Sequence, residues 1–330
     1  MKRILCIASV VLIASTICAQ TAQSSAPAVD DAALSQRPPE QTLLGRSPIT
    51  VPMLKINNRP AIDAYVNGKG PFKLAVETGA DVSSFSQTMA NQLGLVASGH
   101  VQIGPNQTVE MAHVDSVSVG GVTYKGLTVL IGAFADASID GFLGTNVFTQ
   151  HLLKMDFDRR LLTFSKGALP APNGRDIFSL TRTPTGQIDV NLTIGDSQLP
   201  AAIDTRGEFF ISLPENTMAQ YKLKATGSAE REGGGVSLGR HRNTSRRLAV
   251  DAQLGRYRIL TPVVTFAPLP FAILGRRFIE NFGLTLDLSN LRVKFDRAET
   301  TIEIPTQPWE TANEDDVQSA HPAPAGAADL

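Results

Sequence analysis

The stretch FKLAVETGADVSSFS, residues 72–86, is an apolar run that stops at a carboxylate. Phe72, Leu74, Ala75 and Val76 suit a buried strand, and Thr78-Gly79-Ala80 is turn chemistry. Glu77 therefore stands where a hydrophobic strand ends, a place where an acid calls for a partner.

The partner comes from an internal repeat. AIDAYVNGKGPFKLAVETGA (61–80) matches QIDVNLTIGDSQLPAAIDTRG (187–207): an alternating strand, a glycine turn, a second apolar strand, then acid-Thr. IDGFLGTNVFTQHLLKMDFDRRLLTF (139–164) matches PFAILGRRFIENFGLTLDLSNLRVKF (270–295), each with an apolar pair before Gly, a short helical turn and an Asp-centred hairpin. Glu77 to Asp204 is 127 positions and Gly144 to Gly275 is 131, so the motifs recur in one order at nearly one offset. The short helical stretches ANQLGL (90–95) and ENTMAQYKLKA (215–225) follow the two acid motifs in the same way.

The chain thus divides into a first lobe, 49–167, and a second, 168–298, joined through GALPAPNG (167–174). Lys2 and Arg3 before the apolar run Ile4–Ala19 have the layout of a signal peptide, 1–19, which predicts export to a periplasm or the extracellular space. That run is short for a span of about 20 residues, so no stable membrane insertion is expected after cleavage. A flexible leader is expected over 20–48 and a disordered, acidic, Pro/Ala-rich tail over 299–330.

Composition narrows the chemistry. With 42% hydrophobic and 18% charged residues the 330-residue chain has a sizeable core, and its net charge of -1 offers no field for nucleic acid. Both cysteines, Cys6 and Cys18, lie in the signal segment, which leaves the exported chain without thiol catalysis or Cys-ligated zinc. The five histidines show no metal-ligand spacing, and no Walker loop or Gly-x-Gly-x-x-Gly occurs. Neither a cofactor nor a metal is expected, nor a serine-hydrolase turn. The basic stretch GRHRNTSRRL (239–248) reads as a solvated loop.

If the lobes pack about an approximate twofold axis, Glu77 and Asp204 meet across a cleft. Two close acids share one proton, so one can act as base on a water while the other acts as acid on a carbonyl. That machinery hydrolyses an amide without metal, thiol or serine.

VETGADVSSFS, IDTRGEFFIS, IDGFLGTNVF and FAILGRRFIENF resemble the retropepsin-like aspartyl proteases, in a tandem form like the bilobal pepsins, over residues 50–297. The resemblance implies an all-β fold of two similar acid-protease lobes and a peptide or protein substrate, with a monomer as the expected state. It implies Glu77 and Asp204 as the acids, Thr78 and Thr205 as loop cross-links, and Gly144 and Gly275 on strands passing behind the loops. It also implies a hairpin flap over the cleft, placed at 99–113 with its tip at Gly104-Pro105-Asn106, and a counterpart at 232–239.

Two positions depart from the family pattern. Glu77 stands for the expected Asp, and Arg206 stands opposite Gly79 where a second glycine is expected. An arginine there would favour ionisation of both acids, and Gly207 leaves open a turn shifted by one residue. The alternative to hydrolysis is a non-catalytic peptide-binding or scaffold module, with Asp204 and Arg206 closing the loop as an ion pair.

Overall fold

Residues 36–103, 107–132, 136–235, 239–307 and 310 are described by a computed structural model of the chain, with 231–235 and 239–241 as backbone only. Strands dominate, arranged in three sheets.

The first sheet, of nine strands, is the first lobe, and its centre is set by residues 69–85. The strand Lys69–Val76 lies parallel to Gly141–Leu143, which pairs antiparallel with Ser83–Phe85. Ser83–Phe85 in turn runs parallel to Val129–Ile131. The second lobe, an eleven-stranded sheet, repeats each of these steps. Ser197–Asp204 lies parallel to Ala272–Gly275, which pairs antiparallel with Ile211 and Ser212, and Ile211–Pro214 runs parallel to Val263–Ala267. The repeat seen in the sequence is therefore one ladder pattern built twice. Both central strands are apolar runs because they are covered on both faces: Leu74, Ala75, Val76, Ala201, Ala202 and Ile203 are all buried.

A six-stranded sheet joins the lobes. Its middle is the pairing of Leu152–Asp156 with Gly283–Asp287, the equivalent strands of the two lobes. Leu153 faces Leu286, Lys154 faces Thr285 and Met155 faces Leu284. Lys154 and Thr285 are the same position of the repeat, so the approximate dyad passes between them. The core is continuous: Phe148, Leu153, Leu162, Leu284, Leu286 and Phe295 belong to one buried cluster that extends into both lobes.

The helix expected at 90–95 spans Gln87–Leu93 instead. The Ser86 hydroxyl accepts the Met89 N–H and starts it three residues earlier, and Gly94, left-handed at φ 71°, stops it. In the second lobe the counterpart is a 3-10 helix over Glu215–Gln220.

Three expectations need correction. Part of the leader is a strand: Gln41–Leu44 pairs antiparallel with Val122–Lys125, adding an edge strand to the first lobe. The tail begins as structure too, since Thr301–Glu303 runs parallel to Arg258–Leu260 with Ile302 buried. The basic stretch at 239–248 is a strand, Gly239–Arg247, not a loop. Its Arg247 is buried because Glu310 binds it with both carboxylate oxygens, while the Thr261 and Pro305 carbonyls accept its other N–H groups at 2.8 and 2.9 Å. Sequence could not show this, because the satisfying groups lie 14 to 63 positions away. The signal segment 1–19, residues 20–35 and 311–330, and the tip 104–106 lie outside the described residues.

Candidate functional site: paired acid loops

The two acid loops are bound to each other by their threonines. Thr78 Oγ1 donates to the Ile203 carbonyl at 2.7 Å and accepts the Thr205 N–H at 3.1 Å. Thr205 Oγ1 donates to the Val76 carbonyl at 2.7 Å and accepts the Thr78 N–H at 3.1 Å. Both threonines are buried, so each hydroxyl replaces water for one N–H and one carbonyl of the other lobe. This reciprocal pattern places Glu77 and Asp204 side by side at the dyad.

The glycine strands hold the loops from behind. The Glu77 N–H donates to the Leu143 carbonyl at 3.0 Å, and Thr145 N–H to the Ala80 carbonyl at 2.8 Å. In the second lobe Arg276 N–H donates to the Gly207 carbonyl at 2.7 Å. A Cβ on Gly144 would lie 2.1 Å from the Val82 carbonyl oxygen, and one on Gly275 2.4 Å from that of Phe209. No side chain fits at either position.

These contacts settle the alignment of the second loop. Ala80 and Gly207 make the same bond, each two residues after its threonine, so the turn has not slipped. Arg206 truly occupies the place that Gly79 has in the first lobe.

The two acids sit in different surroundings. Asp204 Oδ1 accepts the N–H groups of Arg206 and Gly207 at 2.7 and 3.2 Å, and among the described residues no hydrogen bond reaches Oδ2. Its carboxylate lies against the first loop: a Cβ on Gly79 would be 2.5 Å from Asp204 Cγ. Glu77 is 2% exposed, and among the described residues no hydrogen bond reaches its carboxylate. Its nearest cation is Arg206, with Nη1 3.8 Å from Oε2. The Arg206 side chain thus lies toward Glu77 across the dyad, and among the described residues it forms no ion pair with Asp204.

The two departures answer each other. An Asp carboxylate needs a bare glycine opposite, as Asp204 has in Gly79. Arg206 carries a Cβ at the equivalent place, and residue 77 opposite it is a glutamate, longer than Asp by one methylene.

Burial pushes the Glu77 carboxyl up to about 7. The Arg206 guanidinium opposes this, the Asp204 charge adds to it, and Arg59 and Asp136 contribute more weakly with opposite signs. Desolvation outweighs the arginine, so the expectation that Arg206 would keep both acids ionised does not hold for Glu77. Arg59 and Asp136 were not among the residues read from the sequence. Arg59 Nη1 donates to Asp136 Oδ2 at 2.7 Å, and Asp136 Oδ1 accepts the Ser138 N–H at 2.9 Å. The partners are 77 positions apart with no motif around either, so no local signal could have paired them.

A raised pKa makes stability depend on pH. Below about pH 4.5 the Glu77 carboxyl is neutral in folded and unfolded chains alike. From 4.5 to about 7 the unfolded chain releases that proton while the folded chain keeps it, so stability falls as pH rises. At about 1.4 kcal/mol per pH unit, the native protein is expected to lose ~3 kcal/mol relative to Glu77→Gln between pH 4.5 and 7.5. Denaturant unfolding of both proteins across that range reads the difference; parallel curves would mean that burial does not hold the proton.

Each lobe carries a long antiparallel hairpin after its acid loop. In the first lobe Ala97–Ile103 pairs with Gln107–Val119 where the flap is expected, and Val101, Val109, Met111 and Leu130 form a small separate cluster beneath it. In the second lobe Ala229–Gly235 pairs with Gly239–Arg247. Gly235-Val236-Ser237-Leu238-Gly239 fits the Gly-x-Ser-x-Gly pattern, but here it joins two antiparallel strands. A nucleophile turn joins a strand to a helix, whereas the segment that follows Gly235-Val236-Ser237-Leu238 is a strand, Gly239–Arg247. Among the described residues no cluster of His, Cys, Asp or Glu could hold a metal ion, and no helix is long and apolar enough to cross a membrane.

Residues 62–147 match the family model described as aspartyl protease, an interval that runs from the strand Arg59–Val66 through Glu77 to the turn after Gly144. A solved retropepsin-like aspartic protease from Rickettsia conorii is 21% identical, over 38% of this chain and 92% of that one, with a TM-score of 0.30. No curated protein matches the chain. The family match spans the first acid loop and its glycine strand, and the second lobe, outside the match, is built on the same ladder.

Proposed function

We propose that the protein is an exported peptidase that hydrolyses peptide bonds with a water held between Glu77 and Asp204. The observation that supports this reading is the pair of threonine-locked loops, each following a strand that ends in an acid. Asp204 Oδ2, free of the two backbone donors on Oδ1, accepts a proton from the water as its oxygen attacks the carbonyl carbon. Glu77, protonated below about pH 7, gives its proton to the carbonyl oxygen. Collapse of the tetrahedral species breaks the C–N bond: the proton held by Asp204 passes to the leaving amine, and one of the two hydroxyls on the former carbonyl carbon returns its proton to Glu77. The new carboxyl and amine together contain the atoms of the water. Thr78 and Thr205 position the two loops.

Hydrolysis of an unfolded, alkylated protein by the full chain, followed from pH 3 to 8, tests this. Activity is expected below pH 7 and is lost above it, as Glu77 gives up the proton it must donate. Activity that rises through pH 8 would exclude Glu77 as the acid. The second reading, a peptide-binding module without hydrolysis, is favoured by one observation, the absence of loop N–H donors on Glu77. In that case the chain binds peptides at every pH and cleaves none.

A further inference from the structure

The Arg206 guanidinium has five N–H donors, and among the described residues it makes no hydrogen bond; only its backbone N–H is engaged, with Asp204 Oδ1. The nearest anion, Glu77 Oε2, is 3.8 Å away, beyond hydrogen-bond length. The side chain is 41% exposed, so it is open to solvent on one side while covering Glu77 on the other. Other arginines of the protein are committed: Arg59 to Asp136, Arg247 to Glu310 and Arg258 to Asp251. Arg206 is further distinguished by place, since it stands on the acid loop itself at the position of Gly79.

An uncommitted guanidinium fork in that place matches one class of group. It binds a carboxylate through two parallel N–H bonds, and it is too close to the paired acids to do so without touching whatever they hold. We propose that Arg206 binds a carboxylate of the peptide ligand, selecting peptides with an acidic group beside the bond presented to Glu77 and Asp204. This rests on the reading of the paired loops as a peptide site. The carboxylate comes either from an Asp or Glu side chain or from the peptide's own C-terminus. Glu77 does not compete strongly for the fork, because its buried carboxyl is neutral below about pH 7.

The test uses the full chain and acetylated, amidated nonapeptides with a central Leu-Phe pair followed by Glu, or by Gln in the twin. Binding is measured by calorimetry at pH 6 with Asp204→Asn, so that no peptide is consumed, and with Asp204→Asn carrying Arg206→Met or Arg206→Lys. The Glu peptide is expected to bind about tenfold tighter than its Gln twin, the preference vanishing in Arg206→Met and partly surviving in Arg206→Lys. A Gln peptide with a free C-terminal carboxylate that regains the tenfold identifies the chain end as the source. Equal binding of the twins, no binding of either at millimolar concentration, or a preference that persists in Arg206→Met overturns the inference. Circular dichroism confirms that each variant is folded. Cleavage by the native chain is scored separately. Selective binding without cleavage ends the hydrolytic reading and leaves the inference standing; equal cleavage of the twins does the reverse.

Discussion

Asp204→Asn is expected to lower kcat/KM for peptide hydrolysis by on the order of a thousandfold, with a melting temperature within about 2 °C of the native protein. The substitution is nearly isosteric. Its carbonyl oxygen can still accept the Arg206 and Gly207 N–H groups that Asp204 Oδ1 accepts now, so the loop keeps its shape. The other oxygen becomes an amide nitrogen, which cannot take a proton from water. Activity equal to that of the native protein, assayed on the same unfolded substrate at pH 5, would remove the paired-acid mechanism altogether. A variant that is inactive and also much less stable would show instead that Asp204 holds the loop together.

The second large effect concerns the threonines. Thr78→Val and Thr205→Val keep side-chain shape and remove the hydroxyls. Each loss strands one N–H and one carbonyl in a buried setting, the donor and acceptor now paired at 3.1 and 2.7 Å. A buried unsatisfied polar group costs about 1–3 kcal/mol, so each single variant is expected to lose roughly 2–4 kcal/mol. The double variant loses less than the sum of the two, because the hydroxyls belong to one network. Against a typical stability of about 5–15 kcal/mol this is enough to melt the interface of the lobes at moderate denaturant. Urea titration of the two singles and the double measures it; additive losses of under about 1 kcal/mol each would mean that the loops are held by the sheets alone.

Much of the architecture was legible because its signals are short-range. Strand, glycine turn, strand and acid-Thr lie within some twenty residues, and each half of the chain shows them in the same order. Gly144 and Gly275 were found for the same reason, as the ends of two apolar triplets, and the clash that a Cβ would make explains why they are glycines. What depended on distant partners was not legible. Arg206 looked like a neighbour of Asp204 two positions away, yet its side chain reaches Glu77 in the other lobe. Arg247 looked like one more solvated cation in a basic stretch until Glu310 enclosed it. Gln41–Leu44 and Thr301–Glu303 read as parts of a leader and a tail because a lone edge strand carries only a few residues of alternation. Their partners, not their own composition, make them strands.

The central sheet has a consequence for how the site responds to dilution. A symmetric site assembled from two separate subunits comes apart by mass action as concentration falls. Here both halves belong to a single polypeptide, and Leu152–Asp156 is laddered to its own repeat equivalent, Gly283–Asp287. The local concentration of one loop at the other is therefore set by the covalent chain. Freed from any need for the two halves to match, the sequence was able to place glutamate on one side and arginine on the other, an asymmetry that no homodimer could encode.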